Sequence, residues 1–93
     1  MKQLTKEEIN TFIAAHSKWE YKDNKLCREY TFRDFKEAFS FMTRAALISE
    51  KFDHHPEWQN VYNKVSIQMS THTANGITEN DTRWISALDL THI

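Results

Sequence analysis

Ninety-three residues, 40% hydrophobic and 13% aromatic, are enough for one domain on a single packed core, expected to span residues 1–93. Twelve Lys and Arg against thirteen Asp and Glu leave a formal net charge of −1 with no basic block, which argues against nucleic acid as the primary partner. The single cysteine, Cys27, excludes an internal disulfide, and with no signal-peptide pattern and no apolar run of about 18 residues the expectation is a cytoplasmic chain that does not span a membrane.

Thr5 and Glu8 have the spacing of a capping box, with Leu4 and Ile9 placed as a hydrophobic staple around it. Ile9, Phe12, Ile13 and His16 follow at i, i+3, i+4 and i+7, predicting a short amphipathic helix near 5–15 that covers a sheet. His16 closes the stripe at the helix C-terminus, where a partly positive imidazole suits the dipole. From Trp19 the pattern changes to alternation around Asp23, Asn24 and Lys25, predicting a hairpin with strands near 18–22 and 25–31, with Asn24 supplying a left-handed turn residue. Cys27 reads as a packed strand residue, since no His or second Cys stands beside it.

Thr31 and Asp34 repeat the cap spacing, and no Gly or Pro interrupts the chain to Lys51, so a central helix is predicted near 32–53. Phe32, Phe35, Phe39, Met42 and Ala46 mark one apolar face, widened by Phe41, Ala45, Ile48 and Phe52, which reads as core. Pro56 disfavours helical geometry at His55 and leaves His54 and His55 at the mouth of this helix. A second hairpin is predicted near 59–62 and 64–71 with a tight turn at Asn63. Its alternation of Val65, Ile67 and Met69 with Ser66, Gln68 and Ser70 assigns His72 to the polar side of the sheet. Thr78 and Asp81 cap a last helix near 79–89. The order α-β-β-α-β-β-α predicts an α+β fold, a four-stranded antiparallel sheet with three helices on one face. Such a sheet has open edges and one uncovered face, so at least a homodimer is expected.

Three of the five histidines lie between Glu50 and Asp81. Histidine, with an ordinary pKa of about 6.5, exchanges protons near neutrality. Glu50 and His54, four apart, are expected on one helical face, where the carboxylate can orient the imidazole. His72 joins them only if the second hairpin folds back over the helix end. Trp58 offers a flat wall for a planar heterocycle, or simply core. By spacing alone the histidines fit a solvated helix terminus, general acid/base catalysis or a metal site. The last lacks the paired His or Cys ligands of well-specified zinc motifs. Asp81 reads first as a capping-box carboxylate and second as an active-site group.

The stretch Glu50, Lys51, Phe52, Asp53, His54, His55, Pro56, Glu57 and Trp58, with NVYNKV at 60–65, STH at 70–72, the Gly76 to Asp81 segment and DFKEAFSFMTRAAL at 34–47, closely resembles the pterin-4a-carbinolamine dehydratase family. The resemblance covers nearly the whole chain. It implies an enzyme that dehydrates 4a-hydroxytetrahydropterin, the carbinolamine left by aromatic amino-acid hydroxylases, to quinonoid dihydropterin. It implies no metal and no bound cofactor, and a homodimer or homotetramer. It places a catalytic triad at His54, His55 and His72, with Glu50 and Asp81 as supporting acids and Pro56 and Trp58 shaping the pocket. The leaving hydroxide must be protonated while N5 loses its proton, so an acid and a base must flank the ring. His54 and His72 are expected to move protons, and His55 to bind and orient. The rival reading is an interaction protein that stabilises dimers of a partner such as a transcription factor.

Overall fold

The computed structural model describes residues 1–91. In chain order the elements are α1 (Lys6–Ala15), β1 (Glu20–Lys22), β2 (Lys25–Thr31), α2 (Phe35–Phe52), β3 (Glu57–Val61), β4 (Lys64–Met69), a 3-10 turn (His72–Ala74) and α3 (Glu79–Thr91). The four strands form one antiparallel sheet in the order β1-β2-β4-β3. The register Leu26↔Met69, Arg28↔Ile67, Tyr30↔Val65 and Trp58↔Ile67 places all these side chains on one face. The same face carries the core with Ile9 of α1, Ala38, Phe41 and Ala45 of α2, and Trp84, Ile85 and Leu88 of α3. Glu29, Gln59 and Gln68, on the other face, are exposed. The predicted α+β architecture with three helices on one face is therefore the observed one. No helix among the described residues is long and apolar enough to cross a membrane.

The caps explain where the helices start. Thr5 Oγ1 accepts from Glu8 N at 3.1 Å while Glu8 Oε1 accepts from Thr5 N at 2.8 Å, the reciprocal box the spacing predicts. This pairing, chiefly the bond from the Thr5 backbone, holds the Glu8 carboxyl below its usual range. The cap of α2 is Asp34, not Thr31: its carboxylate accepts from Glu37 N at 2.9 Å. Thr31 is still paired with Lys64, and Phe32 N donates to Asn63 O, so the ladder keeps the chain extended too long for an earlier start.

The inward face of α2 also differs from expectation. It runs through Ala38, Phe41, Ala45 and Ser49, whereas Phe35, Phe39 and Leu47 are exposed, Phe39 at 55%. Small residues let the helix lie close to α3, where Trp84 fills the space and its Nε1 donates to Ser49 Oγ at 3.0 Å. Phe35 and Phe39 take the outside.

Both hairpins are closed by two residues, with Asp23 and Asn24 left-handed in the first. In the second the left-handed residue is Tyr62, at φ 50°, while Asn63 uses its side chain to donate to Phe32 O. β3 begins two residues earlier than predicted and β4 ends two residues sooner. Beyond β4, Thr71 and Gly76 bridge, closing the loop that carries His72. The segment before α1 fastens this loop: Leu4 N donates to Ile77 O at 2.8 Å and Gln3 Nε2 to Ala74 O at 2.7 Å.

Candidate active site

The end of α2 sets the site. Asp53 is left-handed, at φ 50° and ψ 46°, and His54 N donates to Ser49 O at 3.0 Å, so the helix closes with the six-residue bond of a Schellman-type terminus. His54 thus leaves the helix, and its ring lies over α3 rather than beside Glu50. The predicted Glu50–His54 pair is replaced by Glu50–His55, with His55 Nε2 at 2.7 Å from Glu50 Oε2. The left-handed turn at a non-glycine residue is the physical cause.

His54 Nε2 lies 2.6 Å from Asp81 Oδ1. Its side chain is 11% exposed and that of Asp81 is 0% exposed, so this is a sequestered pair. The other carboxylate oxygen, Oδ2, accepts from Thr78 N and from Thr71 Oγ1, both at 2.9 Å. Thr71 Oγ1 and Thr78 Oγ1 are 2.7 Å apart, and Thr78 Oγ1 accepts from Asn80 N at 3.2 Å. Because the Thr71 hydroxyl donates to the carboxylate, the Thr78 hydroxyl must be the donor to Thr71. Asp81 is therefore both the cap of α3 and the partner of His54, the two roles its position left open.

The other two histidines are open to solvent. His72, 83% exposed, approaches Glu57 Oε1 at 3.8 Å, and the same oxygen lies 2.9 Å from Lys25 Nζ. Strand parity holds here, since Thr71 points inward and His72 outward. Beside His72 is a hollow of about 290 Å³ lined in part by Asn24, Lys25, Ser70 and Asn75. A second hollow, about 190 Å³, lies on the open sheet face along Glu57, Trp58 and Gln68. Trp58 packs against the core and Pro56 is half-buried. Each of these three histidines thus stands beside a carboxylate, as His16 does beside Asp89 at 3.8 Å, and among the described residues no hydrogen bond or ion pair joins one of the three to another. Nor does any group of three His, Cys, Asp or Glu among them converge as a metal site.

Thr71 and Thr78 were not among the expected site residues, although strand parity points Thr71 inward. His16 is structural: it stacks on Phe12 at 4.0 Å and its Nδ1 faces Phe12 O at 3.0 Å. Burial, the largest influence on Cys27, pushes its thiol up and makes it a poor nucleophile.

The chain matches the family model described as pterin 4 alpha carbinolamine dehydratase over residues 2–91. This chain belongs to the pterin-4a-carbinolamine dehydratase family. It is 51% identical over 86 residues to a relative from Prochlorococcus marinus strain MIT 9515, covering 92% of this chain and 90% of the relative. It is 49% identical over 89 residues to one from Paraburkholderia xenovorans, covering 94% and 93%. Both are provisionally named pterin-4-alpha-carbinolamine dehydratases. A crystal structure titled transcriptional coactivator/pterin dehydratase from Brucella melitensis superposes with a TM-score of 0.91 at 41% identity, covering 96% of this chain and 97% of that one. A pterin dehydratase-like protein described as a RuBisCO assembly factor of the alpha-carboxysome shares the fold, with a TM-score of 0.63 at 19% identity over 77% of this chain and 83% of that one.

Proposed function

We propose that this member of the pterin-4a-carbinolamine dehydratase family dehydrates 4a-hydroxytetrahydropterin to quinonoid dihydropterin, recycling the pterin consumed by aromatic amino-acid hydroxylation. The observation that carries the reading is the placement of His54, His55 and His72 each beside a carboxylate, within a chain that matches the family along its length. One imidazole gives a proton to the hydroxyl on C4a, the C–O bond breaks as water leaves, and the N5 lone pair closes the C4a=N5 bond. A second imidazole takes the N5 proton, so no net proton is consumed. His54 and His72 carry these protons. His55, held by Glu50, binds and orients the ring, and Pro56 and Trp58 shape the wall it meets.

With the carbinolamine generated in place and its loss followed optically, His54→Ala and His72→Ala should each lower turnover about 100-fold or more. His55→Ala should raise KM more than it lowers kcat. Retention of near wild-type kcat/KM by all three variants would remove the reading. The reaction needs no metal, so chelation should leave kcat unchanged.

The protein acts as a homodimer or homotetramer in this reading, which the exposed Phe35, Phe39 and Leu47 of α2 support. The same apolar face favours the second reading, an interaction module that stabilises dimers of a partner such as a transcription factor. If Phe39→Glu dissociates the oligomer in sedimentation yet leaves kcat/KM unchanged, the face serves assembly and not chemistry.

A further inference from the structure

We propose that Thr71 is a positioning residue for this reaction: through Asp81 it locks neutral His54 with the proton on Nε2, so that Nδ1 is the nitrogen that exchanges a proton with the substrate. The inference rests on the dehydratase reading for its catalytic half, and on hydrogen-bond direction alone for its structural half.

The directions follow from what each group can do. Asn80 N and Thr78 N have only a proton to give, and a carboxylate oxygen has only lone pairs. The hydroxyl of Thr78 accepts from Asn80 N and donates to Thr71, and the hydroxyl of Thr71 donates to Asp81 Oδ2. Oδ2 also takes the proton of Thr78 N and is thereby filled, which leaves Oδ1 as the oxygen that faces His54. A carboxylate oxygen, with only lone pairs to offer, 2.6 Å from Nε2 requires the proton on that nitrogen. Nδ1 makes no hydrogen bond among the described residues, and the His54 side chain keeps 11% of its surface exposed, which leaves this nitrogen as the one a substrate can meet. When His54 is doubly protonated, the proton it can release is the one on Nδ1, since Asp81 retains the other. That proton passes to the C4a hydroxyl oxygen as the C–O bond breaks, and the second imidazole takes the proton from N5. Without the Thr71 hydroxyl, Oδ2 loses one of its two donors, the Thr78 hydroxyl loses its acceptor, and the carboxylate is freer to rotate.

The test is the nitrogen-15 spectrum of the histidine-labelled full chain, at a pH where His54 is neutral. Nε2 should resonate as a protonated ring nitrogen and Nδ1 as a bare one. In Thr71→Val the other tautomer should become detectable and kcat should fall roughly tenfold, as expected for loss of an outer partner that orients a working imidazole, with KM changed less than kcat. Thr71→Ser should restore both. Thermal unfolding followed by circular dichroism checks that Thr71→Val is folded, and Thr71→Ala replaces it if it is not. A wild-type spectrum with the proton on Nδ1 overturns the structural half without any variant. A Thr71→Val enzyme with unchanged tautomer and kcat overturns the positioning role. If His54→Ala were fully active, the catalytic half would fall with the dehydratase role of His54, while the spectrum would still decide the hydrogen-bond geometry.

Discussion

The corner around His54 is closed and the surface around His55 and His72 is open, although two of these residues are adjacent in sequence. His54 has a fully buried carboxylate whose four-member hydrogen-bond set leaves it one orientation. His55 and Glu50 are 53% and 77% exposed, and can trade each other for water. The difference teaches which groups the fold orders and which a bound molecule must order. A sequestered hydrogen-bonded pair needs every partner, because removing one leaves the rest buried and unsatisfied. A surface pair contributes little to stability and keeps its freedom for binding.

The largest effect on stability should come from the closed corner. Asp81→Asn replaces an acceptor of three protons with a group that brings two of its own, and should destabilise the fold by about 2–3 kcal/mol. On a domain of this size that lowers Tm by roughly 10–20 °C, readable by circular dichroism. Ser49→Ala comes next. It leaves the buried Trp84 Nε1 without its acceptor, for about 1–2 kcal/mol in urea unfolding. At the open surface, Glu50→Gln should change stability by under about 0.5 kcal/mol after solvent screening, while raising KM through the loss of His55 orientation. A large Tm drop in Glu50→Gln, or none in Asp81→Asn, would break the contrast. The smallest effect concerns Cys27: with its thiol raised by burial, alkylation near pH 8 should run roughly a few-fold slower than that of free cysteine.

Periodicity made most of the fold legible. The switch from a 3.6 to a 2-residue repeat located all three helices and all four strands within a few residues. The inward face of α2 was legible only in part: Phe41, Ala45, Met42, Ile48 and Phe52 pack inward as expected, but the helix is apolar on two sides, so Phe35 and Phe39 face outward while Ala38 and Ser49 are buried, Ser49 against Trp84. At the site, every named residue lies near the α2 terminus, the start of β3, the end of β4 or the start of α3. The pairing of Glu50 was misassigned because Asp53, rather than a glycine, takes the left-handed turn. Thr71 was hidden for a different reason. Its direction is readable from strand parity, but its partner, 10 residues onward, is fixed only when Gly76 closes the loop.

The fastening of that loop by Gln3 and Leu4 makes the first residues of the chain and the His72 loop a single unit in local opening. Deleting residues 1–4 should accelerate amide hydrogen exchange at Gly76 and Asn75, far along the chain, before it affects α2. A Cβ at Gly76 would meet the Gln3 side chain at 3.0 Å, so a substitution there pushes on the same unit from the other side. Residues separated by 71 positions are thus tied to each other, whereas His54 and His55, neighbours in the chain, are held by different partners, Asp81 and Glu50.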